Sequence, residues 1–240
     1  MKFVFDLDGT LCFDGYTINK DIIEALERLK QAEHEVIFAS ARPIRDMLPV
    51  LPKQFHHHKL IGGNGCYTSH NGNIEISYFE ENLLETLKEL VERNEMHYLA
   101  DSSWDYAFTG LEHYPAYQNI SHETANQLQL HELDQVCKMV LFSPSEDILQ
   151  ELSQLPVVLT HYKGENAVDL SPLGINKANG LQKLAVTEFV AFGNDSNDRC
   201  MFERAIFSVC VGDNEVGKYA SKIVTRTEVA NQIKQLVAHY

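Results

Sequence analysis

The sequence predicts an α/β protein: a doubly wound, Rossmann-like core with a parallel sheet, interrupted by an inserted α+β segment. Three observations carry this reading. Four short runs, FVFDL at 3–7, VIFAS at 36–40, FVAFG at 189–193 and FSVCV at 207–211, are continuously apolar instead of alternating. That is the signature of strands buried on both faces. Helical periodicity separates these runs at both ends of the chain, and strand, helix, strand order favours a parallel sheet. Between about 81 and 166 the grammar changes to many short strand-like runs.

Each element follows from its residues. Asn19 stands where a cap belongs, and Ile22, Ile23, Leu26 and Leu29 recur at helical spacing, with Lys20, Glu24, Glu27 and Lys30 outside that stripe. A second helix is expected near 177–186, and a last one carries Val229, Ile233, Leu236 and Val237 on one face. In the insertion a helix over 82–93 precedes MHYLAD, WDYAFTG, VCKMVLFS, PVVLTHY and NAVDL, with short helices near 122–129 and 146–154. The core is accordingly assigned to 1–80 and 167–240, and the insertion to 81–166.

Composition narrows the function. With 240 residues, 44% of them apolar, the chain can bury the core of one large domain or two small ones. A net charge of −14 without a Lys/Arg run disfavours nucleic-acid binding. An acidic protein that takes a phosphorylated small molecule needs a local cation, from a side chain or a metal. Cysteines 12, 66, 137, 200 and 210 are odd in number and never paired as C-x-x-C, so reduced thiols in a cytoplasmic protein are expected. No apolar run nears the roughly 18 residues that span a bilayer. A monomer or small homo-oligomer without membrane or nucleic-acid partners is expected.

Chemistry is sought where open α/β sheets place their ligands, at the carboxyl ends of strands. The first strand ends in Asp6-Leu7-Asp8-Gly9-Thr10. Two carboxylates two residues apart can divide labour, one attacking and one transferring a proton. The second strand ends in Ala39-Ser40-Ala41-Arg42, which offers a hydroxyl. Lys177 opens a predicted helix, where N–H groups and the dipole favour an anion. After FVAFG come Asn194, Asp195, Asn197 and Asp198, hard oxygen donors of the kind Mg2+ takes. Singly, each has a plainer reading: turn pair, helix cap, surface lysine, capped turn. His56, His57 and His58 read as loop residues, because adjacent side chains rarely converge on one centre, and Trp104, Tyr106 and Phe108 read as a packed strand.

In this order the motifs resemble those of the haloacid dehalogenase superfamily, and the whole chain resembles its Cof-like phosphatases, which carry a type IIB cap. The resemblance implies that Asp6 is the nucleophile, that Asp8 is the general acid/base and offers its carbonyl to Mg2+, and that Ser40 and Lys177 hold the phosphoryl group. Asp198 matches the last acidic residue of the fourth motif. The metal set so implied is Asp6, Asp8, Asp198 and either Asn194 or Asp195. Asn194 stands where the family usually has Asp in G-D-x-x-N-D, so the amide or the neighbouring Asp195 would have to serve. Arg42 and Asn64 are candidate substrate contacts. The implied activity is Mg2+-dependent hydrolysis of small phosphorylated metabolites, sugar phosphates above all, through an aspartyl phosphate under a closing cap. A phosphotransferase or phosphomutase, or a weakly catalytic phospho-metabolite binder, are the alternatives.

Overall fold

A computed structural model describes residues 1–162 and 166–240, and the chain falls into two compact units, Met1–Ile74 with Lys177–Tyr240, and Glu75–Asn176. In chain order the elements begin with β1 (Lys2–Phe5), α1 (Lys20–Gln31), β2 (Glu35–Ala39), α2 (Ile44–Met47), β3 (Leu60–Gly62), β4 (Tyr67–His70) and β5 (Asn73–Ile76). There follow α3 (Glu81–Arg93), β6 (His97–Asp101), β7 (Tyr106–Thr109), α4 (Pro115–Gln118), β8 (Gln127–Leu128), β9 (Lys138–Phe142), α5 (Glu146–Leu152), β10 (Val157–Tyr162) and β11 (Ala167–Pro172). The chain closes with α6 (Lys177–Lys183), β12 (Phe189–Gly193), α7 (Arg199–Phe202), β13 (Phe207–Val211), β14 (Lys222–Val224) and α8 (Val229–Val237).

The first unit is built on an eight-stranded sheet in the order β14-β13-β12-β1-β2-β3-β4-β5. From β14 to β3 neighbouring strands are parallel, and β4 turns back antiparallel on β3. The predicted apolar runs lie at its centre because both faces are covered. On one face Val4, Ile37, Ala39, Ile61 and Ala191 pack with Leu181 of α6 and Met201 and Phe202 of α7. The alternate residues Phe3, Phe5, Phe38 and Phe192 are also fully buried. Phe5 touches Phe192 at 4.8 Å and Phe38 meets Phe55 edge-on at 5.5 Å. Helix α1 buries Ile22, Ala25, Leu26 and Leu29 and packs against α8. Asn19 occupies its cap position without a side-chain capping bond.

The strand order places the switch at β1. The chain leaves β1 to build β2 and β3 on one side, then returns through α6 to lay β12 on the other. The carboxyl ends of β1, β2 and β12 therefore open towards one crevice, where loops can bring distant residues together.

The second unit holds a six-stranded sheet, β10-β11-β9-β6-β7-β8. On one face Leu84, Leu87 and Leu90 of α3 and Leu152 of α5 pack against Tyr98, Ala100, Met139, Leu141 and Val168. On the other, Tyr106, Phe108, Val140 and Phe142 meet Tyr114, Tyr117 and Ile120. Tyr106 and Phe108 are thus packing residues, and Trp104 donates its indole N–H to Thr124 O at 2.8 Å.

Three features differ from the expectation. The division lies at 74/75 and 176/177, not at 80/81 and 166/167, because Ala167–Pro172 pairs antiparallel with both β9 and β10 and so completes the second sheet. No helix forms at 122–129: this segment is turn followed by β8, whose Gln127 and Leu128 pair with Tyr106 and Ala107. Strands β3, β4, β5 and β14 are too short and too weakly apolar to stand out in the sequence.

All five cysteines are free thiols. Among the described residues no helix is long and apolar enough to cross a membrane.

The fully buried Phe38 sits against two aromatic rings, so Phe38→Ala leaves a cavity that the rigid sheet cannot close. Urea denaturation should show a loss of about 3–5 kcal/mol; a loss below about 1 kcal/mol would contradict this packing.

Candidate active site

Asp6 is the first residue beyond β1, and its backbone N–H donates to Phe192 O at 3.0 Å, which sets the end of β1 level with the end of β12. The chain then turns sharply. Thr10, Leu11 and Cys12 all direct backbone N–H groups to Leu7 O, and Gly9 adopts φ +78°. Gly9 is needed on two counts. Its φ is strained for other residues, and a Cβ there would lie 2.3 Å from the Asn194 side chain.

Lys177, the first residue of α6, reaches back under this turn. Its Nζ donates to Asp6 Oδ1 at 2.7 Å and to Asp198 Oδ1 at 2.6 Å, and its side chain has no exposed surface. Asp198 is equally buried, and its other oxygen accepts from the N–H groups of Asn194 at 2.7 Å and Asp195 at 3.1 Å. Gly193 permits this close approach, since a Cβ there would stand 2.5 Å from Asp198 Cγ.

Two carboxylates face one ammonium, so the buried group carries a formal charge of −1. Burial pushes the Asp6 carboxyl up to about 7; Lys177 pulls against this, while Asp198 and Asp8 add to it. For Lys177 burial works against the charge, but Asp198 and Asp6 together outweigh it and hold the lysine protonated.

The remaining oxygen of Asp6 points elsewhere. Asp6 Oδ2, the Asp8 backbone carbonyl and Asn194 Oδ1 converge, with Asn194 Oδ1 3.1 Å from Asp6 Oδ2 and 2.8 Å from Asp8 O. Thr10 Oγ1 donates to the same amide oxygen at 3.0 Å. Three acceptors this close repel unless a donor or cation stands among them. Turning the amide would place its nitrogen on all three neighbours, Thr10 included. The other resolution is a small divalent cation. Octahedral Mg2+ with ligands at about 2.0–2.1 Å sets adjacent oxygens about 2.9 Å apart, close to the spacing found. The residues thus fit Mg2+, with one carboxylate, one carbonyl and one amide as protein ligands.

Among the described residues no three His, Cys, Asp or Glu side chains converge; the donor set works only because a backbone carbonyl and an amide complete it. Two expected ligands lie outside it. Asp195 is exposed and caps its own turn, its Oδ1 accepting from Ser196 N at 2.6 Å. Asp198 has both oxygens engaged by Lys177 and the two N–H groups, so it orients the lysine and the loop.

Ser40 stands at the end of β2, fully buried, with its Oγ accepting from Arg42 N at 3.1 Å and its own O–H remaining as a donor. Arg42 engages Asp8 with both ends of its fork, Nε at 2.7 Å and Nη2 at 2.6 Å. Asn64, at φ 55°, directs its N–H to Ser40 O, and its side-chain oxygen accepts from Asn197 Nδ2 at 3.0 Å. It thereby ties the second motif to the fourth. His56 and His58 each place a ring nitrogen 2.8 Å from a backbone carbonyl, Leu51 O and Val36 O, as structural loop residues do. Thr10 was missed as a functional candidate; its signal is the hydroxyl directly after the turn glycine in DLDGT.

A family model described as haloacid dehalogenase-like hydrolase matches residues 3–234. The chain belongs to that family. It is 26% identical over 252 residues to 5-amino-6-(5-phospho-D-ribitylamino)uracil phosphatase of Bacillus subtilis, covering 95% of this chain and 91% of that protein. It is 25% identical over 256 residues to the HMP-PP phosphatase of Serratia proteamaculans, covering 98% and 92%. Among solved structures, a haloacid dehalogenase-like hydrolase from Bacteroides thetaiotaomicron superposes with a TM-score of 0.81 at 21% identity, covering 98% of each chain. A sugar phosphatase of subclass IIB in this superfamily gives 0.76 at 18% identity over 99% and 98%. These last two establish a shared fold.

Lys177→Met would leave Asp6 and Asp198 buried and facing without their cation, at a cost of about 3–5 kcal/mol in chemical denaturation. The double variant with Asp6→Asn should lose less than the sum of the two single losses, because one interaction is removed twice. Additive losses would contradict the shared-lysine geometry.

Proposed function

We propose that this hydrolase is a Mg2+-dependent phosphatase of small phosphorylated metabolites, sugar phosphates foremost, working through an aspartyl phosphate on Asp6. One observation carries the reading: a single buried carboxylate has one oxygen on Lys177 and the other turned towards Asp8 O and Asn194 Oδ1. Such a carboxylate is held in one orientation by the lysine, and an incoming phosphoryl group meets a preset nucleophile. The names of the curated relatives, all of them phosphatases in the two cases given, support the same class.

The Asp6 carboxylate attacks phosphorus and the ester oxygen departs with a proton from Asp8. Asp8 then takes a proton from the water that hydrolyses the acyl phosphate. Lys177 offsets negative charge beside the attacking oxygen, and Ser40 offers its hydroxyl to a phosphoryl oxygen. Mg2+, held by Asp6, Asp8 O and Asn194, would supply Lewis-acid charge neutralisation at the phosphoryl oxygens. Asp198 keeps Lys177 in place throughout. The second unit is assigned the part of the cap domain that the family carries.

The test is phosphate release from a panel of phosphorylated sugars and p-nitrophenyl phosphate, with Mg2+ or a chelator, and with sugar alcohols added to reveal transfer. Asp6→Asn should lower kcat by at least about 10⁴-fold while the protein stays folded. Retained turnover in freshly made Asp6→Asn, with deamidation excluded, would refute the nucleophile.

Asn194 coordinates without charge, so Asn194→Asp should strengthen Mg2+ binding and Asn194→Ala should weaken it. Melting curves read this without turnover, since a ligand of the folded state raises the melting temperature as its concentration passes Kd. Asn194→Asp should reach a given shift at lower Mg2+, and an unchanged titration in both variants would remove Asn194 from the metal.

A further inference from the structure

We infer that Arg42 is the positioning residue for Asp8, fixing that carboxylate for proton transfer to the leaving group. The inference rests on the phosphatase reading above. Arg42 is only 6% exposed, while the side chain of Asp8 is 42% exposed, so the anchor is inside and the carboxylate stands at the mouth. The guanidinium takes both Asp8 oxygens, Nε to Oδ2 at 2.7 Å and Nη2 to Oδ1 at 2.6 Å. Two parallel bonds from a planar fork set the plane of the carboxylate as well as its place.

The fork is itself immobilised. Nη2 also donates to Gly15 O at 2.8 Å, in the loop that follows the catalytic turn. The Arg42 backbone is tied on both sides, its N–H to Ser40 Oγ at 3.1 Å and its carbonyl accepting from Gly63 N at 2.8 Å. A half-exposed Asp on a turn would otherwise exchange rotamers freely, and a general acid works only within hydrogen-bond reach of the leaving oxygen. The position of Arg42 after Ser40 suggests direct contact with the phosphoryl group. Here the guanidinium is committed to Asp8 and Gly15, and the two roles separate kinetically.

The experiment compares kcat/KM on p-nitrophenyl phosphate, whose leaving group departs as a stable anion, with kcat/KM on an alkyl phosphate, whose alkoxide needs a proton. For a covalent phosphoryl intermediate, kcat/KM covers steps through loss of the first leaving group, so the later role of Asp8 does not enter. Arg42→Gln should fall about 100-fold further on the alkyl ester than on p-nitrophenyl phosphate, the lower range of general acid catalysis. Arg42→Lys should recover part of the difference. Asp8→Asn should show the same preference, and the double variant should be no slower than Asp8→Asn alone, because Arg42 acts through Asp8. The ratio of the two esters does not depend on the fraction of enzyme folded, so partial unfolding leaves the comparison valid. Equal losses on both esters, or losses that multiply in the double variant, would overturn the positioning role while leaving the phosphatase reading intact. A wild-type chain that releases phosphate from neither ester would overturn both.

Discussion

Everything around the crevice of the first unit depends on one buried ammonium, Lys177, shared between the carboxylates of Asp6 and Asp198. A lysine with no exposed surface is costly unless its charge is met, and here two acceptors meet it at 2.7 and 2.6 Å. In return the lysine draws three segments distant in sequence to one point: the end of β1, the start of α6 and the loop after β12. Asp198 holds that loop by two N–H groups, which brings Asn194 over the Gly9 turn. Burial, opposed by Lys177 and reinforced by Asp198 and Asp8, leaves Asp6 raised to about 7, and the formal excess of one negative charge makes a cation beside it favourable.

The fold serves this point geometrically. Parallel strands β1, β2 and β12 deliver their carboxyl ends side by side, so Asp6 and Asn194 need only short loops to meet, with Ser40 at the end of the neighbouring strand. Glycine does the fine adjustment, at Gly9 through its positive φ and at Gly193 through the space it leaves for Asp198. The amide of Asn194 is thereby held 2.8 Å from the Asp8 carbonyl and 3.1 Å from Asp6 Oδ2.

Much of this was legible in the sequence, for definite reasons. Strands buried on both faces leave continuous apolar runs, and FVFDL and VIFAS overlap β1 and β2 while FVAFG and FSVCV coincide with β12 and β13. The polar residues closing three of those runs are where the crevice lies. What stayed hidden depends on partners far away in the chain. The run NAVDL reads as a strand of the insertion, yet the boundary at 166 cuts through it, and only its pairing with β9 and β10 shows that the second sheet extends to Pro172. Residues 122–129 carry enough polar helix formers to suggest a helix, yet Gln127 and Leu128 are recruited as an edge strand. Composition in the DSND turn announces oxygen ligands without saying which way they point, so Asp195 proved to be a cap and Asp198 a support for Lys177. The Arg42–Asp8 pair spans 34 residues and leaves no local trace.

The most direct measurement is to quench the wild-type chain in acid during turnover of a phosphate ester, reduce it with borohydride and map the peptides by mass spectrometry. An acyl phosphate reduces to an alcohol whereas a free carboxylate does not. Reduction is expected at Asp6 and at no other carboxylate, appearing only with substrate present. Reduction at a different aspartate, or an Asp6 that stays unmodified throughout turnover, would contradict it.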